Sequence, residues 1–145
     1  MKNTLHLFLI LILILFSCAK DDLAIVTGTW EITFVITTDI QESPTYSGEM
    51  TLFHDYSKIT GNIEISDDLG FNAYAELLPG GFVDHNNEIS FETYVWLVND
   101  SVTTLTLTYS GTITPPSKTG PGYYIMSGIF NSGERKIGDW SAEKR

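Results

Sequence analysis

The sequence TWEITFVITT, residues 29–38, places apolar side chains at every second position. Trp30, Ile32, Phe34 and Ile36 share one parity, and mostly polar residues separate them. Because successive side chains of a β-strand point to opposite faces, this spacing predicts a strand with one apolar face. The folded part of the chain is therefore predicted to begin with a half-buried strand.

The same period of two continues along the chain in short runs that turn residues separate. The further runs cover residues 48–54, 59–65, 71–77, 82–83, 89–95, 105–113, 123–130 and 137–142. Pro79-Gly80-Gly81 bends or breaks the run that starts at residue 71. The sequence therefore predicts an all-β fold with eight antiparallel strands, or nine if that break is complete.

The positions of the glycines in the predicted strands favour a closed barrel over a flat sandwich. A small residue followed by glycine recurs inside four predicted strands, at residues 47–48, 60–61, 110–111 and 127–128. Glycine weakens a strand, so its repeated use marks bends or places where backbones crowd. A meander joined by short turns removes its exposed edges by closing into a barrel. We predict such a barrel; the alternative is a sandwich in which the glycines form bulges.

Residues 1–17 have the composition of a secretory signal. Lys2 supplies a positive charge, residues 7–16 are all apolar, and the small residue Ser17 precedes Cys18. A membrane-spanning helix needs about 20 apolar residues, so we expect the segment to direct export and then to be removed. The alternative for the cysteine is an ordinary signal in which it is incidental.

Leu15-Phe16-Ser17-Cys18 resembles the lipobox of bacterial lipoproteins. The resemblance implies that Cys18 carries the lipid and becomes the first residue of the mature chain, attached to the membrane. Lys20-Asp21-Asp22 resembles the acidic export signal of surface lipoproteins in some Gram-negative lineages, which implies an outer-membrane protein facing the cell surface. The alternatives are a plain solvated tether and a periplasmic location.

These segments predict three regions. Residues 1–17 form the signal peptide, residues 18–24 the lipidated cysteine and acidic tether, and residues 25–145 one β-barrel domain. The chain has 145 residues, 8 Lys and Arg against 18 Asp and Glu, and a net charge of −10. Phosphate backbones repel such a chain, so we expect no nucleic-acid partner. With one cysteine there is no disulfide framework.

Gly28-Thr29-Trp30 matches the Gly-x-Trp signature of lipocalins and their calycin relatives, and residues 138–142 resemble the closing strand of small bacterial lipocalin-like domains. The resemblance implies a lipocalin-like barrel with Trp30 packed across its closed end. It also implies that Lys144 or Arg145 stacks on that ring, and that the barrel binds a small apolar or amphipathic molecule. The signature positions are Gly28, Trp30, Trp140 and Arg145.

No residue pattern indicates catalysis. His6 lies in the signal, and His54 and His85 lie at predicted turns without the ligand spacing of a zinc site. Asp67-Asp68 and Asn99-Asp100 are favoured turn residues. The sequence contains no nucleophile elbow, phosphate loop or dinucleotide fingerprint. We predict neither an enzyme, a metal site nor a cofactor.

Two binding surfaces follow from the strand pattern. An eight-stranded barrel is either filled by side chains or holds one small ligand. The predicted inward residues are Phe34, Ile36, Met50, Leu52, Ile63, Phe71, Ala73, Ala75, Phe91, Val95 and Leu107. On the opposite parity, Tyr74, Tyr94 and Trp96 would form an outer aromatic patch for a glycan or an envelope protein. A parity error of one residue would instead turn these three rings inward.

Overall fold

A computed structural model describes residues 26–37, 43–56, 58–66, 72–97 and 104–144 of the chain. Every regular element in these ranges is a β-strand. The strands are β1 (Gly28–Ile36), β2 (Thr45–Asp55), β3 (Lys58–Ser66), β4 (Asn72–Leu77), β5 (Phe82–Val83), β6 (Glu88–Leu97), β7 (Thr104–Thr114), β8 (Tyr124–Ser132) and β9 (Arg135–Lys144). Within the same ranges, no helix has the length and apolar character needed to cross a membrane.

The strands close into a barrel in which all neighbours are antiparallel. From β1 to β4 and from β6 to β9, each strand pairs with the next along the chain, and β4 pairs with β6. β9 then pairs with β1, from Glu143 opposite Glu31 to Gly138 opposite Ile36, which joins the two ends of the sheet. The predicted antiparallel meander closed into a barrel is confirmed, and the alternative of a flat sandwich is wrong.

The two-residue strand β5 shares a position in the barrel wall with β4. Phe82 pairs with Lys58 of β3 and with Ser90 of β6, and these are the strands that flank β4. Residues 78–81 separate β4 from β5. The break at Pro79 is therefore complete, and the described ranges contain nine strands for eight positions in the wall.

Glycines on the inner face let neighbouring strands approach closely. Gly61, with a φ of +153°, lies opposite Leu52, and a Cβ there would overlap the carbonyl oxygen of Thr51. A side chain at this position would therefore push β2 and β3 apart. A Cβ would overlap the backbone of the adjacent strand also at Gly48, Gly111 and Gly128. These close approaches permit the strong coiling that a small barrel requires.

The barrel has two ends that differ in their packing. We call the end where β1 begins the Trp30 end and the end where β1 finishes the Ile36 end. β3, β6 and β8 run in the same direction as β1 and also finish at the Ile36 end. Near the Trp30 end, the interior is filled by side chains that are at most 1% exposed, namely Val26, Trp30, Leu52, Ile59, Ile89 and Met126.

Residues near the N-terminal and C-terminal limits of the described chain contact Trp30. Its indole Nε1 donates a buried hydrogen bond of 2.9 Å to the carbonyl oxygen of Val26. The ammonium group of Lys144 lies 5.7 Å from the centroid of the ring, within the range of a cation–π contact, and donates to the carbonyl oxygen of Thr27. Of the two basic residues predicted for this position, Lys144 occupies it, and Arg145 lies outside the described residues.

Candidate functional site: an interior cavity

The interior near the Ile36 end contains a cavity of about 250 Å³. Side chains from all eight positions of the wall line it, and among the described residues they are aliphatic or aromatic. Leu105 lines the cavity and is 41% exposed, which places the mouth at the Ile36 end. The barrel is thus solidly packed at one end and hollow at the other.

Two alanines that are neighbours on the inner face of β4 help to create this space. Ala73 and Ala75 point inward and are buried, and Ala75 lies opposite Ile63 of β3 and Val95 of β6. All four side chains line the cavity. A methyl group extends a short distance from the wall, so the interior beside β4 is left empty where a larger side chain would fill it.

Most of the residues that were predicted to face inward lie at this cavity. Phe71 falls outside the described residues. Met50, Leu52 and Phe91 are buried but are not part of the lining. The remaining seven line the cavity: Phe34, Ile36, Ile63, Ala73, Ala75, Val95 and Leu107.

Six further residues line the cavity in addition to the predicted inward residues. Five of them share the inward parity of their strand, so extending the apolar parity to the strand ends would have found several of them. Tyr109, for example, lies two positions after Leu107. Ile137 has the opposite parity to its buried neighbours Gly138 and Trp140, and it lies where the pairing of β8 with β9 is irregular. The six residues are Tyr46, Ile65, Leu105, Tyr109, Phe130 and Ile137.

A cluster of aromatic rings fills the middle of the barrel below the cavity. Tyr109 is at its centre, stacked on Phe91 with ring centroids 4.7 Å apart and on Phe130 at 5.8 Å. Phe34 meets Phe130 edge to face at 5.5 Å, and Trp140 meets Phe91 in the same way at 5.8 Å. Because Phe34, Tyr109 and Phe130 also line the cavity, this cluster forms its floor.

The cavity is electrically neutral over its described lining. Tyr109 is 2% exposed, and burial raises the pKa of its phenol to about 12, while the nearby Thr93 hydroxyl acts in the opposite direction. The phenol therefore stays protonated over the whole physiological pH range. The side-chain polar atoms of the described lining are the hydroxyl oxygens of Tyr46 and Tyr109.

The three outer aromatic residues lie together on the opposite face of the wall. Tyr74 is directly opposite Trp96 across β4 and β6, and the two rings stack with centroids 5.6 Å apart. Tyr94 meets Trp96 edge to face at 4.8 Å. Tyr74 is 38% exposed, and Tyr94 and Trp96 are half-buried. The rings therefore point outward, and the alternative of a one-residue parity error is wrong.

The polar residues of the turn that contains His85 stabilise the turn itself. The carboxylate of Asp84 accepts hydrogen bonds from the backbone N–H groups of Asn86 at 2.8 Å and Glu88 at 2.9 Å. The bond from Glu88, more than any other influence, lowers the pKa of this carboxyl. Asp84 thus stabilises the connection between β5 and β6 as turn residues commonly do. In the described ranges, no three His, Cys, Asp or Glu side chains are grouped to hold a metal ion.

No protein family model, no curated protein and no solved structure matches this chain.

Proposed function

We propose that this chain is a lipid-anchored envelope protein whose lipocalin-like barrel binds one small apolar or amphipathic molecule. The observation that carries the proposal is the cavity of about 250 Å³ with an aliphatic and aromatic described lining. Ligand pockets are typically about 300–1,000 Å³, so this cavity suits a small ligand. An apolar cavity of about 150 Å³ binds benzene, and by that proportion about ten non-hydrogen atoms fit here.

The proposed role is binding and not catalysis. The described lining offers no carboxylate, imidazole or thiol to act as an acid, a base or a nucleophile. The pKa of Tyr109, raised to about 12, lies too far from neutrality for efficient proton transfer at physiological pH. The aromatic floor supplies apolar contact area and shape, which are the properties of a binding pocket.

Membrane attachment through Cys18 would orient the cavity away from the bilayer. Val26, the first described residue, packs at the Trp30 end, opposite the mouth of the cavity. The chain from residue 18 to residue 26 spans at most about 28 Å when fully extended. A lipid at Cys18 would therefore keep the Trp30 end within about 28 Å of the membrane and favour orientations in which the mouth faces outward. Because Lys20-Asp21-Asp22 resembles a surface-export signal, we propose that the protein is anchored in the outer membrane and faces the cell surface. The periplasmic face is the alternative.

A comparison of two proteins purified from the envelope tests the binding function. Wild type and an Ala75→Leu variant, whose added side chain enters the cavity, are extracted with organic solvent and the extracts compared by mass spectrometry. We expect a small molecule in equimolar amount with wild type and its loss from the variant. Equal recovery from both proteins would place the molecule elsewhere and contradict the proposal.

A second candidate function is recognition of a glycan or another envelope protein through the outer patch. It is favoured by the contiguous rings of Tyr74, Tyr94 and Trp96, because exposed aromatic clusters often mark interaction sites. Trp96→Ala should then abolish binding of the partner and leave molecules inside the barrel unaffected. Retention of the partner by this variant would contradict the second function.

A further inference from the structure

Thr93 is a buried polar residue without an evident structural purpose. It lies on the inner face of β6, is 0% exposed, and its hydroxyl oxygen has no hydrogen-bond partner among the described residues. Buried hydroxyl groups are normally paired, since an unpaired one has lost its hydrogen bonds to water without replacement. Valine has nearly the same shape and would avoid this penalty. The groups that surround this hydroxyl therefore decide what it can bind.

The position of Thr93 connects it to the cavity. On β6 it lies two residues before Val95, and across the sheet it is opposite Leu107 of β7. Both of these residues line the cavity. Its hydroxyl also lies near enough to the phenol of Tyr109 to lower the pKa of that phenol, although the two groups do not meet the geometry of a hydrogen bond. Tyr109 lines the cavity, and Thr93 lies just beneath the lining without being part of it, so the two hydroxyl groups are near each other at the cavity floor.

The two hydroxyls match a neutral polar group better than a charged one. A hydroxyl both donates and accepts hydrogen bonds, so the pair serves an alcohol or a carbonyl oxygen equally well. Among the described residues, no cationic side chain lines the cavity to neutralise an anion. A carboxylate placed there would lose its hydration without gaining a counter-charge, which is strongly unfavourable.

We propose that the ligand carries one neutral hydrogen-bonding group, a hydroxyl or a carbonyl, that binds the Thr93 and Tyr109 hydroxyls while its apolar body fills the cavity. This inference rests on the proposed binding function. It adds the chemical class of the ligand: a small neutral amphipath with a single polar group at its inner end, and not a carboxylate.

Three probes of nearly equal size test the inference. They are n-propylbenzene, 2-phenylethanol, in which a hydroxyl replaces the terminal methyl group, and phenylacetate, which is anionic at pH 7. Dissociation constants are measured by following the methyl signals of Ala73 and Ala75 by NMR in the purified protein. Propylbenzene measures binding to the apolar cavity alone. The dissociation constant of propylbenzene divided by that of 2-phenylethanol measures the contribution of the polar anchor, which is the pair of Thr93 and Tyr109 hydroxyls.

Thr93→Val should weaken 2-phenylethanol about fivefold, the usual effect of one net hydrogen bond, and leave propylbenzene unchanged or tighter. Thr93→Ser, which keeps the hydroxyl, should retain the wild-type ratio, and Tyr109→Phe should lower it as Thr93→Val does. Phenylacetate should bind wild type at least tenfold more weakly than 2-phenylethanol.

Separate outcomes distinguish the two proposals. If propylbenzene binds but neither Thr93→Val nor Tyr109→Phe changes the ratio, the polar anchor is refuted and the apolar cavity stands. Binding of phenylacetate as tight as that of 2-phenylethanol would also refute the neutral class. If no probe binds wild type, both the anchor and the proposed function are wrong.

Discussion

Replacing Ala75 by leucine should stabilise the protein, because the new side chain enters space that is empty. Ala75 is 4% exposed and lies between Ile63 and Val95 at the cavity wall. Leucine adds three carbon atoms, each worth about 0.8 kcal/mol when buried. Ordering the leucine side chain costs about 0.5–1 kcal/mol. The expected net gain in the free energy of unfolding is about 1.5 kcal/mol.

The same substitution at Ala142 provides a matched control. Ala142 is 1% exposed on β9 and lies opposite Ile32 and Met126, which are at most 1% exposed and do not line the cavity. Overpacking a filled interior typically costs about 1–3 kcal/mol. Ala142→Leu should therefore destabilise the protein, so that the two variants differ in sign.

Equilibrium unfolding in urea, followed by tryptophan fluorescence, measures both effects. The comparison is valid if the dependence of the free energy on urea concentration is the same for both variants and wild type. If Ala75→Leu destabilises the protein as much as Ala142→Leu does, the interior beside β4 is filled. A ligand-binding cavity at this position would then be contradicted.

Other predictions concern the Trp30 end, a turn and the anchor. Trp30→Ala should cost about 3–5 kcal/mol of unfolding free energy in urea, whereas Trp96→Ala, on the outer face, should cost far less; equal losses would contradict the inside–outside assignment. The carboxylate of Asp84 has a lowered pKa in the folded state, so its stabilisation is present above its unfolded pKa and is lost as the pH falls through the folded value. Asp84→Asn should therefore reduce the loss of stability seen when wild type is titrated below about pH 4, and an unchanged profile would be the contrary result. Cys18→Ser should release the protein from the membrane fraction, and a variant still processed and still bound there would contradict the lipid anchor.

The fold was predictable because a closed antiparallel barrel imposes one simple pattern on every strand. Trp30, Ile32 and Phe34 alternate with outward residues, and the structure keeps this parity. The outer contact between Tyr74 and Trp96 needs only that parity together with the pairing of β4 and β6. Local periodicity is a property of the sequence itself, so it can be recognised without knowing which strands are neighbours in the sheet.

The cavity was only partly predictable, because parity does not report height along the barrel. Leu52 and Ile63 both face inward, yet Leu52 packs near the Trp30 end and Ile63 lines the cavity. Height depends on the stagger between strands, which arises from the closed sheet as a whole. The unpaired state of Thr93 depends likewise on its cross-strand neighbours Leu77 and Leu107. The period of two places Thr93 inside but does not reveal which groups surround it.

Intermolecular nuclear Overhauser effects between n-propylbenzene and the alanine methyl groups show whether the Ile36 end of the barrel binds a small apolar molecule. The methyl groups of Ala73 and Ala75 line the cavity, whereas that of Ala142 lies in the packed part of the interior. Saturable binding is expected, with contacts from the probe to Ala73 and Ala75 and none to Ala142. Contacts to Ala142 alone, or the absence of contacts to Ala73 and Ala75 at saturating probe, would contradict a binding cavity at the Ile36 end.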